Sequence, residues 1–198
     1  MRKKICKKSK EIFLVKQTHS NKLLFLSKNT KIKNSSITAD AIITDKKDFP
    51  IAVLTADCVP ILLFDKKRKM IAAIHAGWRG AFKGVISKVI NFMLKKGCDR
   101  KDIIVAIGPS ITQKNYNVKL DFKNKFIKKH KKNKIFFKNR NKLIYFDLPN
   151  YIKSQLKFNK ISKIDMINID TYNKKNNFFS ARRSLKLKHD YYGRNISI

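Results

Sequence analysis

Acid is scarce in this sequence: 13 Asp and Glu stand against 47 Lys and Arg in 198 residues, a formal charge of +34. Cysteine (3), proline (4), histidine (4), glycine (6) and tryptophan (1) are also few. Three cysteines, Cys6, Cys58 and Cys98, are an odd number without paired spacing, so no disulfide framework is implied. No apolar run approaches the about 20 residues of a membrane span. At the basic N-terminus, Lys7–Lys10 interrupts any signal-like apolar segment, so a cytoplasmic protein with no membrane partner is expected. Neither an internal repeat nor a Pro-, Ser- or Gly-rich linker divides the chain, and its length suits one core better than two.

A charge of this size argues for a nucleic-acid partner when the basic residues gather on one face. Here lysine far outnumbers arginine and is spread along the whole chain, beside abundant Asn, Ile and Phe, all residues with AT-rich codons. Compositional drift is the preferred explanation, and no nucleic-acid binding is expected. The densest block, Lys128–Lys134, reads as a solvated helix end or loop.

What is present is a series of short apolar runs, most prominent between Ile51 and Gly80. Ile51–Ala56, Ile61–Phe64 and Met70–Ile74 are punctuated by Pro, Gly and charge, which reads as buried strands rather than helices. After Gly77-Trp78-Arg79-Gly80, residues Phe82, Val85, Ile86, Val89, Ile90, Met93 and Leu94 recur at helical spacing, predicting one helix stopped at Gly97. Gly77 and Arg79 at its start offer free N–H groups and a guanidinium to an anion. Strands are also expected over Glu11–Gln17, Lys22–Leu26, Ile103–Ile107, Leu143–Phe146 and Ile164–Ile169, with a short strand or turn at Ala39–Asp45. Ser27–Ser36 reads as a loop and Met1–Lys10 as a frayed charged helix. Helices are expected over Leu120–His130 and from Pro149 through Lys157.

Three residues stand in equivalent contexts, each after an apolar strand: His19, Cys58 and His75. Two imidazoles and a thiolate suit Zn²⁺ with a fourth position open, the catalytic arrangement. The same types also serve as structural hydrogen-bonders and small buried residues, so spacing alone does not decide.

Gln17-Thr18-His19-Ser20, Ala39-Asp40-Ala41, Leu54-Thr55-Ala56-Asp57-Cys58-Val59-Pro60 and His75-Ala76-Gly77-Trp78-Arg79-Gly80 resemble the signature of the bacterial laccase-domain family. Ile107-Gly108-Pro109, Tyr116 and Phe178-Phe179-Ser180 with Arg182-Arg183 extend the likeness in order from about Phe13 onward. The family was first called multicopper polyphenol oxidase-like and is now described as purine nucleoside phosphorylase, with a link to peptidoglycan editing. The resemblance implies a single α/β (α+β) domain over 1–198, with mixed β-sheets flanked by helices. It implies zinc on His19, Cys58 and His75. It implies phosphorolysis of adenosine, inosine and methylthioadenosine, and deamination of adenosine.

On that reading Gly77, Arg79 and Arg182 or Arg183 bind phosphate, Phe178 or Phe179 stacks on the purine unless it merely packs, and Asp57 is a proton shuttle, a histidine-orienting partner or a strand-end cap. The family usually carries a longer N-terminal region, so a shortened member is expected. It often has cysteines where this chain has Asn115 and Asp170. Alternatives keep the same residues: a Cys58–His75 hydrolase acting on cell-wall precursors, or copper-dependent phenol oxidation, for which four histidines are few. The residues leave the oligomeric state open.

Overall fold

The computed structural model describes residues 11–30, 37–189 and 191–198. The expected helix at Met1–Lys10 and residues 31–36 of the Ser27–Ser36 loop lie outside them. The strands in chain order are β1 (Leu23–Leu26), β2 (Ala41–Thr44), β3 (Val53–Thr55), β4 (Val59–Asp65), β5 (Met70–Ala76), β6 (Ile103–Ile107), β7 (Asn117–Val118), β8 (Phe137–Arg140), β9 (Leu143–Phe146), β10 (Lys163–Met166) and β11 (Asn195–Ser197). Six of them form the main sheet in the order β1-β2-β5-β4-β6-β10. The outer pairs β1–β2 and β6–β10 are parallel and the inner pairs antiparallel, so the sheet is mixed, as the resemblance implied. β11 pairs with β3, and β7, β9 and β8 form a third, small sheet.

The helices are α1 (Trp78–Phe82), α2 (Val85–Lys95), α3 (Leu120–Lys129), α4 (Leu148–Phe158) and α5 (Ala181–Lys186). The single helix expected after Gly80 is two. Gly84 takes φ +83, a left-handed conformation that breaks the ladder and starts α2 afresh. Apolar spacing could not reveal this, because Phe82 keeps the phase of the next helix. α2 buries Val85, Ile86, Val89, Ile90 and Met93. Its β-branched residues each lose a few tenths of a kcal/mol in helix propensity. Burial of each side chain returns about 1.5–3 kcal/mol, so packing decides.

With Tyr151, Ile152 and Leu156 of α4, that face joins Ile43, Ile61, Leu63, Ile74, Val105 and Ile107 in the main core. Beside it, Trp78, Phe82, Tyr116, Phe122, Phe126, Phe137, Phe146 and Tyr151 form a continuous aromatic cluster with centroids 4.7–6.5 Å apart. A smaller cluster of Leu26, Ile42, Ile51, Val53 and Ala73 lies under Phe13, Val15 and Phe49. The expected strand over Glu11–Gln17 is absent. Phe13 and Lys16 make only isolated bridges to Ile51 and Thr38, so the apolar run anchors the segment without a ladder.

Candidate metal centre

The loop before β1, the turn between β3 and β4, and the end of β5 meet at one end of the main sheet. Gln17 ties the first to the second: its amide donates to the Leu54 carbonyl at 2.7 Å and accepts from the Leu54 N–H at 2.8 Å, as a neighbouring strand would. His19, Cys58 and His75 converge, with their ligand atoms all within 4.8 Å of one another. Cys58 Sγ lies 3.6 Å from His19 Nε2, and the two imidazoles meet edge to face at 4.7 Å. His19 sits at φ +58 and Asp57 at φ +83. Both backbones are therefore held in a costly region by their surroundings.

Asp40, in the middle of the Ala39-Asp40-Ala41 motif, is the hydrogen-bond hub of the centre. Its carboxylate is wholly buried and accepts from His75 Nδ1 (2.8 Å), from the N–H groups of Thr18, His19 and Ser20 (3.3, 2.9 and 2.6 Å) and from the Ser20 hydroxyl (2.6 Å). One carboxylate thus fixes the His19 loop and orients His75. With Nδ1 engaged, His75 has Nε2 left to offer as a ligand. Burial alone would raise the Asp40 pKa, but the hydrogen bonds from His75 and Ser20 hold it well below the usual range. His75 shows the reverse balance. Burial pulls it down, and the contacts to Asp40 and Cys58 carry it up to about 9. Burial raises the Cys58 thiol, yet His19 and His75 bring it down to about 7. Among the sequence signals, only the Ala39-Asp40-Ala41 motif pointed here.

These residues fit a metal. Nitrogen and thiolate donors are the set that zinc takes, and a carboxylate behind a ligating histidine is the usual support. Gly77 closes against the cluster. A Cβ there would stand 2.7 Å from His19 Cδ2 and 2.8 Å from Cys58 Sγ, so the close approach requires glycine.

The cluster opens into a pocket of about 390 Å³ lined in part by Trp78, Arg79, Tyr116, Arg182, Tyr192 and Arg194. Arg79 lies over the Trp78 ring at 5.3 Å, and its guanidinium makes no hydrogen bond or ion pair with a described residue. Arg182 reaches Asn117 (2.8 and 3.1 Å) and covers Tyr116 at 5.3 Å. Arg183, its sequence alternative, turns away to the carbonyls of Thr171, Tyr172 and Phe178. Asp57 makes no hydrogen bond to either histidine. Its oxygens accept from the Thr171 hydroxyl (2.8 Å) and the Arg182 N–H (2.6 Å), which docks α5 onto the turn that carries Cys58. The histidine-orienting part suggested for Asp57 thus belongs to Asp40. Phe178 does not line the pocket, and Phe179 covers Gly193, so the proposed stacking partner is not at the site. Gly77 caps α1, a helix of only 5 residues, in place of the long helix expected to hold an anion. Asn115 and Asp170, the two departures from the family pattern, are hydrogen-bonded to each other at 2.6 Å.

Residues 1–198 match the family described as multi-copper polyphenol oxidoreductase laccase. The chain is 35% identical over 186 residues to a purine nucleoside phosphorylase of Rickettsia conorii, covering 93% of this chain and 75% of that one. It is 32% identical over 179 residues to a purine nucleoside phosphorylase of Clostridium acetobutylicum, covering 89% and 73%. In fold it is similar to the hypothetical protein YfiH of Bacillus licheniformis, with a TM-score of 0.82 at 23% identity over 93% of this chain and 72% of that one. It is also similar to YlmD of Geobacillus stearothermophilus, with a TM-score of 0.79 at 22% identity over 93% and 71%.

Proposed function

This chain belongs to the multi-copper polyphenol oxidoreductase laccase family, and from that premise we propose that it is a zinc-dependent purine nucleoside phosphorylase that also deaminates adenosine. The observation that carries the reading is the His19–Cys58–His75 cluster opening into a pocket that three arginines line. The names of its relatives support the substrates, a purine nucleoside and phosphate. His19, Cys58 and His75 would hold the metal, which when bound polarises an oxygen or lowers the pKa of water. The donor set favours zinc over copper, since a multicopper centre draws on more histidines than these.

In phosphorolysis a phosphate oxygen forms a bond to the anomeric carbon as the bond to the base nitrogen breaks. The electron pair leaves with the base, which takes up a proton. Arg79 and Arg182 hold and orient the phosphate beside the ribose, and their charges screen repulsion as it approaches. Gly77 lets the backbone come close to the ligands. Asp57, with both oxygens engaged, acts by positioning: it holds α5, and so Arg182, against the metal turn. In deamination, water replaces the amino group on the purine ring and ammonia leaves.

A second reading has its own observation. A thiol brought to about 7 beside two imidazoles is a competent nucleophile, which favours a Cys58–His hydrolase. One experiment separates them. The purified protein is analysed for metal and incubated with inosine or adenosine plus phosphate, with and without chelator. One zinc per chain, and ribose 1-phosphate formation that chelator abolishes and zinc restores, supports the phosphorylase. Turnover that ignores chelator and stops on alkylation of Cys58 supports the thiol enzyme and overturns the first reading.

A further inference from the structure

Among the described residues, the aromatics other than histidine that line the pocket are Trp78, Tyr116 and Tyr192. Two are committed. The Trp78 ring meets Phe122 edge-on at 4.9 Å and lies under both Arg79 and Lys125. Tyr116 is covered by Arg182 and packs against Phe122 and Phe146. Tyr192 differs. The Arg194 guanidinium lies over its ring at 4.2 Å, and no described aromatic ring contacts it. One π-face is occupied by a cation, and the residue stands half-buried in the pocket wall.

The segment that carries Tyr192 is built into the site. Asn195 pairs with Thr55 in the β11–β3 ladder, and Tyr192 and Arg194, just ahead of it, line the same pocket as Ala56, Asp57 and Cys58. Asn195 also clasps the backbone of Phe179 with two hydrogen bonds of 2.9 Å, and Ser184 reaches the Tyr191 carbonyl. The Phe179 ring presses on Gly193, where a Cβ would lie 2.6 Å away, so the chain turns at that glycine with its backbone in contact. Tyr191 points to solvent at 86% exposure, while Tyr192 turns to the pocket. Arg194 spends one nitrogen on the carbonyls of Tyr192 and Gly193, which fixes the guanidinium over the ring.

We propose that Tyr192, backed by Arg194, is the stacking surface for the planar base of the substrate and determines specificity on the nucleoside side of the pocket. The proposal rests on the phosphorylase reading for the identity of that base. The geometry divides the labour: Arg79 and Arg182 take the anion, and Tyr192 takes the heteroaromatic ring. An aromatic face accepts any base, because every base has a π-face, so this wall selects for a flat ring rather than for its exocyclic groups. That is consistent with a site open to both adenine and hypoxanthine nucleosides.

The test compares wild type, Tyr192→Ala and Tyr192→Phe in zinc content, in KM for inosine and for phosphate, and in calorimetric inosine binding without phosphate. Tyr192→Ala is expected to raise the inosine KM roughly ten- to a hundredfold, the loss of one base–aromatic stack. The phosphate KM and zinc content stay at wild-type values, and Tyr192→Phe recovers most of the lost affinity. An unchanged inosine KM in Tyr192→Ala, or an equal rise for phosphate, overturns the stack while leaving phosphorolysis standing. If wild type binds inosine without turning it over and Tyr192→Ala weakens that binding, the stack stands and phosphorolysis falls. Wild type that neither binds nor converts inosine removes both.

Discussion

Replacing Asp40 by Asn tests how much of the centre hangs on one carboxylate. The native group serves five donors through two oxygens: Oδ1 takes the His19 N–H and His75 Nδ1, and Oδ2 takes the N–H groups of Thr18 and Ser20 and the Ser20 hydroxyl. Asn keeps one acceptor oxygen and presents N–H donors at the other position. With its nitrogen in the Oδ1 position, the His19 N–H loses its partner, and His75 can bond only by moving its proton to Nε2, the nitrogen needed as a ligand. With its nitrogen in the Oδ2 position, the N–H groups of Thr18 and Ser20 face a donor. At least one part-buried N–H loses its acceptor in either case, at about 1–3 kcal/mol, and the remaining bonds lose their charge assistance. A loss of about 3 kcal/mol in urea unfolding of the metal-free protein follows, with zinc affinity down 10- to 100-fold by chelator competition. The Asp40 pKa is depressed, so its contribution is present above its ordinary value of 3.8 and is lost as pH falls below that. The gap between wild type and Asp40→Asn should therefore narrow below pH 3.8. A stability within about 0.5 kcal/mol of wild type, with unchanged zinc affinity, would refute the reasoning.

Other outcomes follow from the same geometry. His75 titrates at about 9, raised from 6.5, so its contribution to metal-free stability is complete below 6.5 and is lost as pH rises through about 9. Zinc must displace that proton and the one on Cys58, so zinc affinity should climb across the same interval, and a flat profile by competition titration would contradict it. Gly77→Ala should lose zinc while remaining folded, since its Cβ strikes His19 and Cys58 but its φ of −71 suits any residue. Elemental analysis beside circular dichroism decides. Cys58→Ala should abolish metal retention and phosphorolysis with the sheet intact, and retained zinc would remove the ligand assignment. Arg183→Lys should cost about 2 kcal/mol in thermal unfolding, because one ammonium cannot span the three carbonyls that the guanidinium serves. An unchanged melting temperature would count against that role.

Much of the fold could be read from local pattern. Ile103–Ile107 is a strand with the expected bounds, Pro149 stands in the first turn of α4, and Gly97 follows the end of α2 at φ +85. Buried runs of four to seven residues carry their own signal. The three donors were visible too, because each follows an apolar segment and sits in a specific motif. Asp40 showed only as the middle of the Ala39-Asp40-Ala41 motif, because its importance comes from the backbone N–H groups of residues 18–20 converging on it, and no side-chain pattern encodes a convergence of amides. Adjacent Arg182 and Arg183 look alike in sequence. On α5 they diverge, one into the pocket and the other into the backbone behind Phe178. The pairing of Asn115 with Asp170 spans 55 residues and needed the third dimension to be seen as one change rather than two.

The chain's only tryptophan lies where the aromatic cluster touches the pocket, edge-on to Phe122 and under the Arg79 guanidinium. Every photon of indole emission therefore originates at one known point. An anion that draws Arg79 away changes the field across that indole, and separation of α3 from the cluster uncovers it to water. The molecule thus carries a built-in optical probe: on the phosphorylase proposal a spectral shift on titration with phosphate reports occupancy, and a red shift in denaturant reports loss of the aromatic wall, without any label.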